Sequence, residues 1–240
     1  MTTATSPPAA AAMLLLFDIQ PEAIDEHDEW HSHEHLPERL SIPGFRRGSR
    51  WTRTTPGPRY SVVYEVDRLE VLDSPAYRQR LDHPTPWTTK MMSRYVGMRR
   101  TLCRIDAASG HGLGGSSLVA SFAADPARAA ELDRWLVGEL VPSLAGRRGL
   151  ASCRLLRHAL PAAMTAEQAI RGRDDAVSSA LWVTGYDADR VAALAADELS
   201  AGRLGQRGAT GAEVAVFGLA HALTAGHDAA ASTAAAPAGA

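Results

Sequence analysis

Short apolar runs alternate with amphipathic stretches along this chain, and their spacing predicts strands and helices in turn. Met13 to Ile19 (MLLLFDI) reads as a buried strand. Pro21, with Glu22, Asp25 and Glu26 close behind, marks a helix start, because carboxylates favour the positive end of the helix dipole; the helix runs to about Leu40. Gly44 restarts an extended segment from Phe45 to Arg53, and TTPGP (Thr54 to Pro58) turns the chain into the alternating strand Tyr60 to Val66. Ser74-Pro75 opens a second helix to about Leu81, another turn follows at His83 to Trp87, and Tyr95 to Ile105 is again extended. The order β-α-β-β-α-β is the ferredoxin-like unit.

The second half follows the same order. Strands are predicted at Leu118 to Ala123, Ala151 to Leu156, Ser179 to Tyr186 and Glu213 to Leu219, with helices from Pro126 to about Leu144 and from Asp189 to Leu199. Only Pro161 to Asp175 interrupts it, as an irregular insertion. At a constant offset of 105 residues, Asp28 falls on Asp133, Trp30 on Trp135, Glu34 on Glu139, Pro37 on Pro142 and Gly44 on Gly149. Identities at one fixed spacing, including rare tryptophans, imply two domain-sized copies. The predicted organisation is α+β: a disordered tail 1–12, repeat 1 at 13–109, a linker 110–115, repeat 2 at 116–224 and a disordered tail 225–240. A ferredoxin-like sheet covers one face with its helices and leaves the other needing cover, so two such sheets close on each other within one chain.

Composition narrows the partners. The chain has 45% apolar and 22% charged residues with a net charge of −2, which offers no basic surface for nucleic acid or an anionic membrane. No apolar run approaches the roughly 18 residues of a membrane span. The N-terminus lacks the basic segment of a secretion signal, and its apolar run stops at Asp18, leaving Met1 and Met13 as alternative starts. Cys103 and Cys153 form no recognisable metal or redox motif and read as small buried apolar residues of a cytoplasmic protein. GHGLGG at Gly110 to Gly115 lacks the Lys-Ser/Thr of a phosphate loop and reads as a connector.

Four of the nine histidines fall within nine residues, at His27, His31, His33 and His35. At the repeat offset His27, His31 and His35 become Leu132, Leu136 and Leu140, a sheet-facing stripe at i, i+4 and i+8, whereas His33 becomes Gly138 on the far side. Replacing leucines by imidazoles gives up roughly 1.5–3 kcal/mol of apolar burial each. A polar cavity in repeat 1 explains the exchange better than three unrelated core histidines. A single metal held by all three is excluded, since His27 and His35 lie about 12 Å apart on a helix rising about 1.5 Å per residue. General acid/base chemistry needs only one cavity imidazole, because its pKa sits near neutrality. His35 precedes the helix break at Pro37 and projects towards a barrel mouth. Tyr60, Tyr64 and Tyr95 lie on strands that can line the same space or simply pack, His83 to Trp87 reads equally as a rigid aromatic pocket lip or a helix-terminating loop, and Arg46-Arg47 offer a carboxylate contact or a solvated surface.

Trp30-x-x-x-Glu34-His35-Leu36-Pro37-Glu38-Arg39-Leu40, followed by Ile42-Pro43-Gly44-Phe45, resembles the EthD-like branch of the dimeric α/β-barrel superfamily. Ser74-Pro75-Ala76-Tyr77 and His83-Pro84-Thr85-Pro86-Trp87-Thr88 resemble that family's second helix and its end. The resemblance spans roughly Met13 to Leu223, and it implies paired ferredoxin-like sheets in a barrel whose interior holds a small ligand. Of the family's functional residues only the histidine carries over, at His35; the second copy has Leu140 there, so one active site per chain is expected. Relatives include cofactor-independent oxygenases, cyclases, isomerases, dehydratases and haem-handling enzymes. The reading chosen is a cofactor-free lyase or isomerase of a small oxygenated apolar substrate, with His35 and His31 as catalytic residues and His27, Trp30, Tyr64, His83 and Trp87 around the substrate. Haem or oxygen chemistry is the runner-up, a divalent metal is not favoured, and a non-catalytic binding barrel or a pH-sensitive homodimer contact are the rival classes.

Overall fold

A computed structural model describes residues 9–160, 165–171 and 174–226. The expectations of disorder at 1–8 and 227–240, and part of the insertion, lie outside the described residues. Among the described residues eight strands are formed: β1 Ala11–Ile19, β2 Phe45–Arg53, β3 Tyr60–Val66, β4 Tyr95–Gly110, β5 Ser116–Ala124, β6 Leu150–Leu160, β7 Ser179–Gly185 and β8 Ala209–Thr224. They close into one antiparallel barrel in the order β1-β3-β2-β8-β5-β7-β6-β4. Each half contributes its strands in the ferredoxin-like order, fourth-first-third-second. The halves join where β2 pairs β8 and β4 pairs β6. Ala11 and Ala12, expected in the N-terminal tail, belong to β1 and are fully buried opposite Val66 and Glu65.

The long helix of repeat 1 follows β1. A 3-10 turn at Pro21–Ala23 leads into an α-helix Ile24–Trp30, a π-helical turn His31–His35 and a last α-helical turn Leu36–Leu40. Its counterpart is built the same way at the same offset: Ala129–Trp135, a π-helical turn Leu136–Leu140, then Val141–Leu144. The cause is shared. Pro37 and Pro142 each lack an N–H, and a proline ring crowds the carbonyl four residues earlier, so the wider turn falls just before them. After each helix a glycine with positive φ turns the chain into the next strand, 94° at Gly44 before β2 and 90° at Gly149 before β6. A Cβ at Gly44 would stand 2.5 Å from Val71 Cγ2, and one at Gly149 would stand 2.7 Å from Arg190 Cγ.

Strand alternation divides the core into layers. Ala12, Leu14, Leu16, Trp51, Val63, Trp182 and Phe217 point into the barrel, where Trp51 and Trp182 meet edge-on at 6.4 Å between ring centroids. Their indoles donate to Ser49 and Ser117 within the barrel. Met13, Phe17, Tyr60, Val62 and Tyr64 point outward, under the helices of repeat 1. A third layer, with Leu132, Leu136 and Leu140, lies under the helices of repeat 2. The barrel interior is therefore filled by side chains, and the expectation of a ligand held inside it is corrected: the polar site lies outside the barrel, between sheet and helix.

Two helices of repeat 1 follow β3. Pro75–Asp82 is capped by the Ser74 hydroxyl and Pro86–Met92 by the Thr85 hydroxyl. In repeat 2 a helix at Ala188–Ala196 is followed by Ala201–Gln206, where no helix is predicted. The insertion carries a further short helix, Ala166–Arg171. No helix among the described residues is long and apolar enough to cross a membrane.

Candidate active site

The π-helical turn presents its histidines to the outer face of the sheet. His27, His31 and His35 are buried, with consecutive rings 5.6 Å apart, while His33 is exposed and faces Glu29 at 3.2 Å. The stripe differs along its length. His27 Nδ1 meets Asp28 Oδ1 at 3.2 Å, its ring packs on Phe17 and Tyr60, and burial lowers its pKa. Asp28 also accepts from Tyr60 Oη at 2.8 Å; burial alone would raise its pKa, but the hydrogen bonds from His27 and Tyr60 and the Arg50 charge hold it below the usual range. His31 is enclosed behind Tyr64, whose hydroxyl lies 3.4 Å from its Nε2, and burial drives its pKa well below that of free imidazole. Its Nδ1 has no hydrogen-bond partner in the structure.

Only His35 reaches open space. Its ring lies against the Trp30 indole, 4.4 Å between centroids and tilted by 36°. Trp30 is itself fixed: Nε1 donates to Glu34 Oε1 at 3.1 Å and to Thr88 Oγ1 at 3.2 Å. Glu34 also accepts from Thr85 Oγ1 at 2.5 Å and Thr88 Oγ1 at 3.0 Å, tying the long helix to Pro86–Met92. Beyond His35 a cavity of about 20 Å³ is bounded by Tyr64, Tyr77, Tyr95, Arg39, Arg100 and Glu167, with Met13, Leu15, Leu81 and Met92 between them. Arg39 Nη2 donates to Glu167 Oε1 at 2.5 Å, and its guanidinium lies over the Tyr77 ring at 5.6 Å. Arg100 Nη2 donates to Tyr77 Oη at 3.1 Å. Burial raises the Tyr64 pKa well above that of free phenol, so the hydroxyl keeps its proton and can donate it in a hydrogen bond.

The structure thus brings together His35, Tyr64, Tyr95 and, through its indole, Trp30. It does not bring the other expected residues to the cavity. His83 is exposed at the end of the helix Pro75–Asp82. Trp87 packs beside Trp30 and donates to Glu26 Oε1 at 3.2 Å, so the expected aromatic lip is a helix-to-helix clamp. His27 sits behind His31 against Tyr60, and Arg46 and Arg47 pair with Asp67 and Glu65. Arg39, Tyr77, Arg100 and Glu167 were not singled out from sequence. A larger cleft of about 370 Å³ lies at one barrel end over Leu16, Val119, Ala215 and Phe217, but its only charged lining is the Arg99–Glu213 pair, and it has no histidine, tyrosine or cysteine. Polar groups that can move protons converge at His35 instead.

Among the described residues no cluster of three or more His, Cys, Asp or Glu side chains is arranged to hold a metal ion. As packed, Arg39, Tyr77 and Arg100 leave about 20 Å³ beside His35, which admits neither a haem macrocycle nor a substrate without movement.

A closed eight-stranded barrel with helices on its outside, made of two ferredoxin-like halves, is the dimeric α/β-barrel fold, here completed within one chain. No family model and no curated protein matches the sequence. Solved structures do match the fold. The chain is similar to an anthrone oxidase-like protein, with 11% identity, a TM-score of 0.64, and coverage of 92% of this chain and 95% of that one. It is also similar to a protein provisionally named a monooxygenase from Fusobacterium nucleatum, at 8% identity and a TM-score of 0.62 over 90% and 95% of the two chains. A protein named in the same provisional way from Lactobacillus acidophilus gives 8% identity and a TM-score of 0.58 over 91% and 97%.

Proposed function

We propose that this chain is a small-molecule enzyme whose reaction turns on proton transfer at His35, with no resident cofactor. One observation supports this above the others. An imidazole, three phenols, two guanidinium groups and a carboxylate face one enclosed space in repeat 1, at the layer where repeat 2 packs leucines. His35 takes a proton from an acidified C–H or O–H of an oxygenated, mostly apolar substrate. The electron pair left behind moves onto the substrate oxygen, beside Tyr64, Tyr77 and Arg100. Returning the proton at another carbon isomerises the substrate; expelling a hydroxyl as water, protonated by the imidazolium, dehydrates it. His31 is a positioning residue that braces Tyr64. The EthD-like likeness of Trp30 to Phe45 and the lyase or isomerase class belong to this proposal.

The fold shared with the anthrone oxidase-like protein favours a second reading of the same first step. The deprotonated substrate then reduces dioxygen, so that a CH₂ and O₂ become a C=O and water. Proton exchange in D₂O over a panel of phenolic and enolisable ketones, read by mass spectrometry, tests the shared step. His35→Ala is expected to lose at least about 100-fold in exchange, the usual range for a general base, while His33→Ala keeps the wild-type rate. Equal effects of the two substitutions would defeat the assignment. Oxygen uptake with the same substrates separates oxidation from lyase or isomerase turnover.

A further inference from the structure

We propose that the His35 cavity is an anion site for a small apolar acid, and that Glu167 holds the anion's place while no ligand is bound. This deepens the reading above and rests on it, since the acid is taken to be the substrate.

The cavity as packed, about 20 Å³, has room for about one water molecule and for no substrate. Something must move, and Glu167, which lines the space and is only 4% exposed, is the candidate. Glu167 comes from the other half of the molecule, on the short helix Ala166–Arg171 between β6 and β7. That helix packs against Pro75–Asp82 and Pro86–Met92 with Ala169 exposed and Ile170 39% exposed, while Glu167 reaches Arg39. An ionic contact of this kind is one that a competing anion can take over.

The charges around the cavity are unbalanced. Arg39 has Glu167 and also Glu38 at 3.2 Å. Arg100 is 7% exposed, bonds Tyr77 through Nη2, and has no carboxylate partner among the described residues; its Nη1 is buried with no hydrogen-bond partner. A buried guanidinium without a counter-ion is strongly unfavourable, so this wall selects for negative charge. Met13, Leu15, Leu81 and Met92 supply the apolar remainder. A ligand carboxylate or phenolate would replace Glu167 on Arg39 and satisfy Arg100.

The probe is benzoate, with benzamide as its neutral counterpart, titrated calorimetrically into the full chain. Benzoate is expected to bind and benzamide not. Glu167→Gln keeps the shape and removes the competing charge, so benzoate affinity should rise at least about fivefold as the open fraction increases. Arg100→Met should lower benzoate affinity at least about tenfold and raise the melting temperature of the ligand-free protein. Arg99→Gln, at the barrel-end cleft, should change neither. Equal binding of the two probes, no benzoate binding, indifference to Arg100→Met, or loss of binding in Arg99→Gln each overturns the proposal. Weaker binding by Glu167→Gln overturns the role given to Glu167; Glu167→Asp, one methylene shorter, replaces it should that variant not fold. If no catalysis depends on His35 while binding follows Arg100 and Glu167, the anion site stands and the proton-transfer reading falls; charge-blind binding with His35-dependent exchange sinks the anion site alone.

Discussion

Replacing His31 by leucine, the residue of the second repeat, is expected to stabilise this protein. His31 is 1% exposed, its Nδ1 has no partner, and its Nε2 has only the 3.4 Å contact to Tyr64. An unsatisfied buried polar atom is unfavourable by about 1–3 kcal/mol, whereas the long hydrogen bond contributes about 0.5–1.5 kcal/mol at most. Tyr64 borders the cavity and can turn to a water. The net gain at pH 7.5 is about 1 kcal/mol, or about 2–4 °C in melting temperature for a chain of this size. The gain should grow in acid. Unfolded, the imidazole takes up a proton below its ordinary pKa of 6.5; folded, burial and the neighbouring His27 and Arg50 hold it well below that. Between those two points the unfolded chain binds more protons, so the wild type is fully stable above about pH 6.5 and loses up to about 1.4 kcal/mol per pH unit through this group as pH falls. His31→Leu escapes that loss and should gain at most about a further 2 kcal/mol between pH 7.5 and pH 5. Urea unfolding followed by tryptophan fluorescence at several pH values measures both effects. A variant less stable than wild type at pH 7.5, or a difference that does not widen towards pH 5, would refute the reasoning.

Gly48→Ala should destabilise by about 1–3 kcal/mol, an overpacking effect, because its methyl would stand 2.4 Å from Leu36 Cδ1 and 3.1 Å from the Tyr64 ring; an unchanged urea midpoint argues against so close a helix. Glu65, 3% exposed inside the barrel, pairs with Arg47 and with Arg154 Nε at 3.1 Å. Glu65→Ala strands both guanidinium groups and should lower stability by about 3–5 kcal/mol, read in the same urea assay, with a loss under about 1 kcal/mol as the contrary result. Burial pushes the thiols of Cys103 and Cys153 up to about 12. Iodoacetamide at pH 8 should therefore label neither in the native protein and both in urea; rapid native labelling contradicts the packing.

The repeat was legible because its anchors are rare residues at a fixed offset. Trp30 and Trp135 are both buried beside a π-helical turn, and Pro37 and Pro142 place that turn in both copies. The burial of His27, His31 and His35, and the exposure of His33, followed from the leucines opposite them. The side of the sheet on which they sit did not. In YSVVYEV every residue is buried, so alternation cannot say whether Tyr64 or Val63 faces the barrel. Arg39 follows Pro37-Glu38 in a sequence that looks solvated, and its partner Glu167 is 128 residues away. Arg100 sits in a run of polar strand residues whose buried member only the pairing with β1 reveals. Long-range charge pairing leaves no local pattern, and for that reason most of the cavity wall was missed.

Because β2 pairs β8 and β4 pairs β6, neither half keeps a free sheet edge. Two identical subunits joined this way would carry two equal pockets, and each change in one would appear in the other. Joined in a single chain, the halves are free to specialise. One packs Leu136 and Leu140 where the other presents His31 and His35, and the half with the leucines lends Glu167 to the half with the histidines. Any attempt to reconstruct the site from the first half alone would lack that carboxylate and leave two strand edges bare.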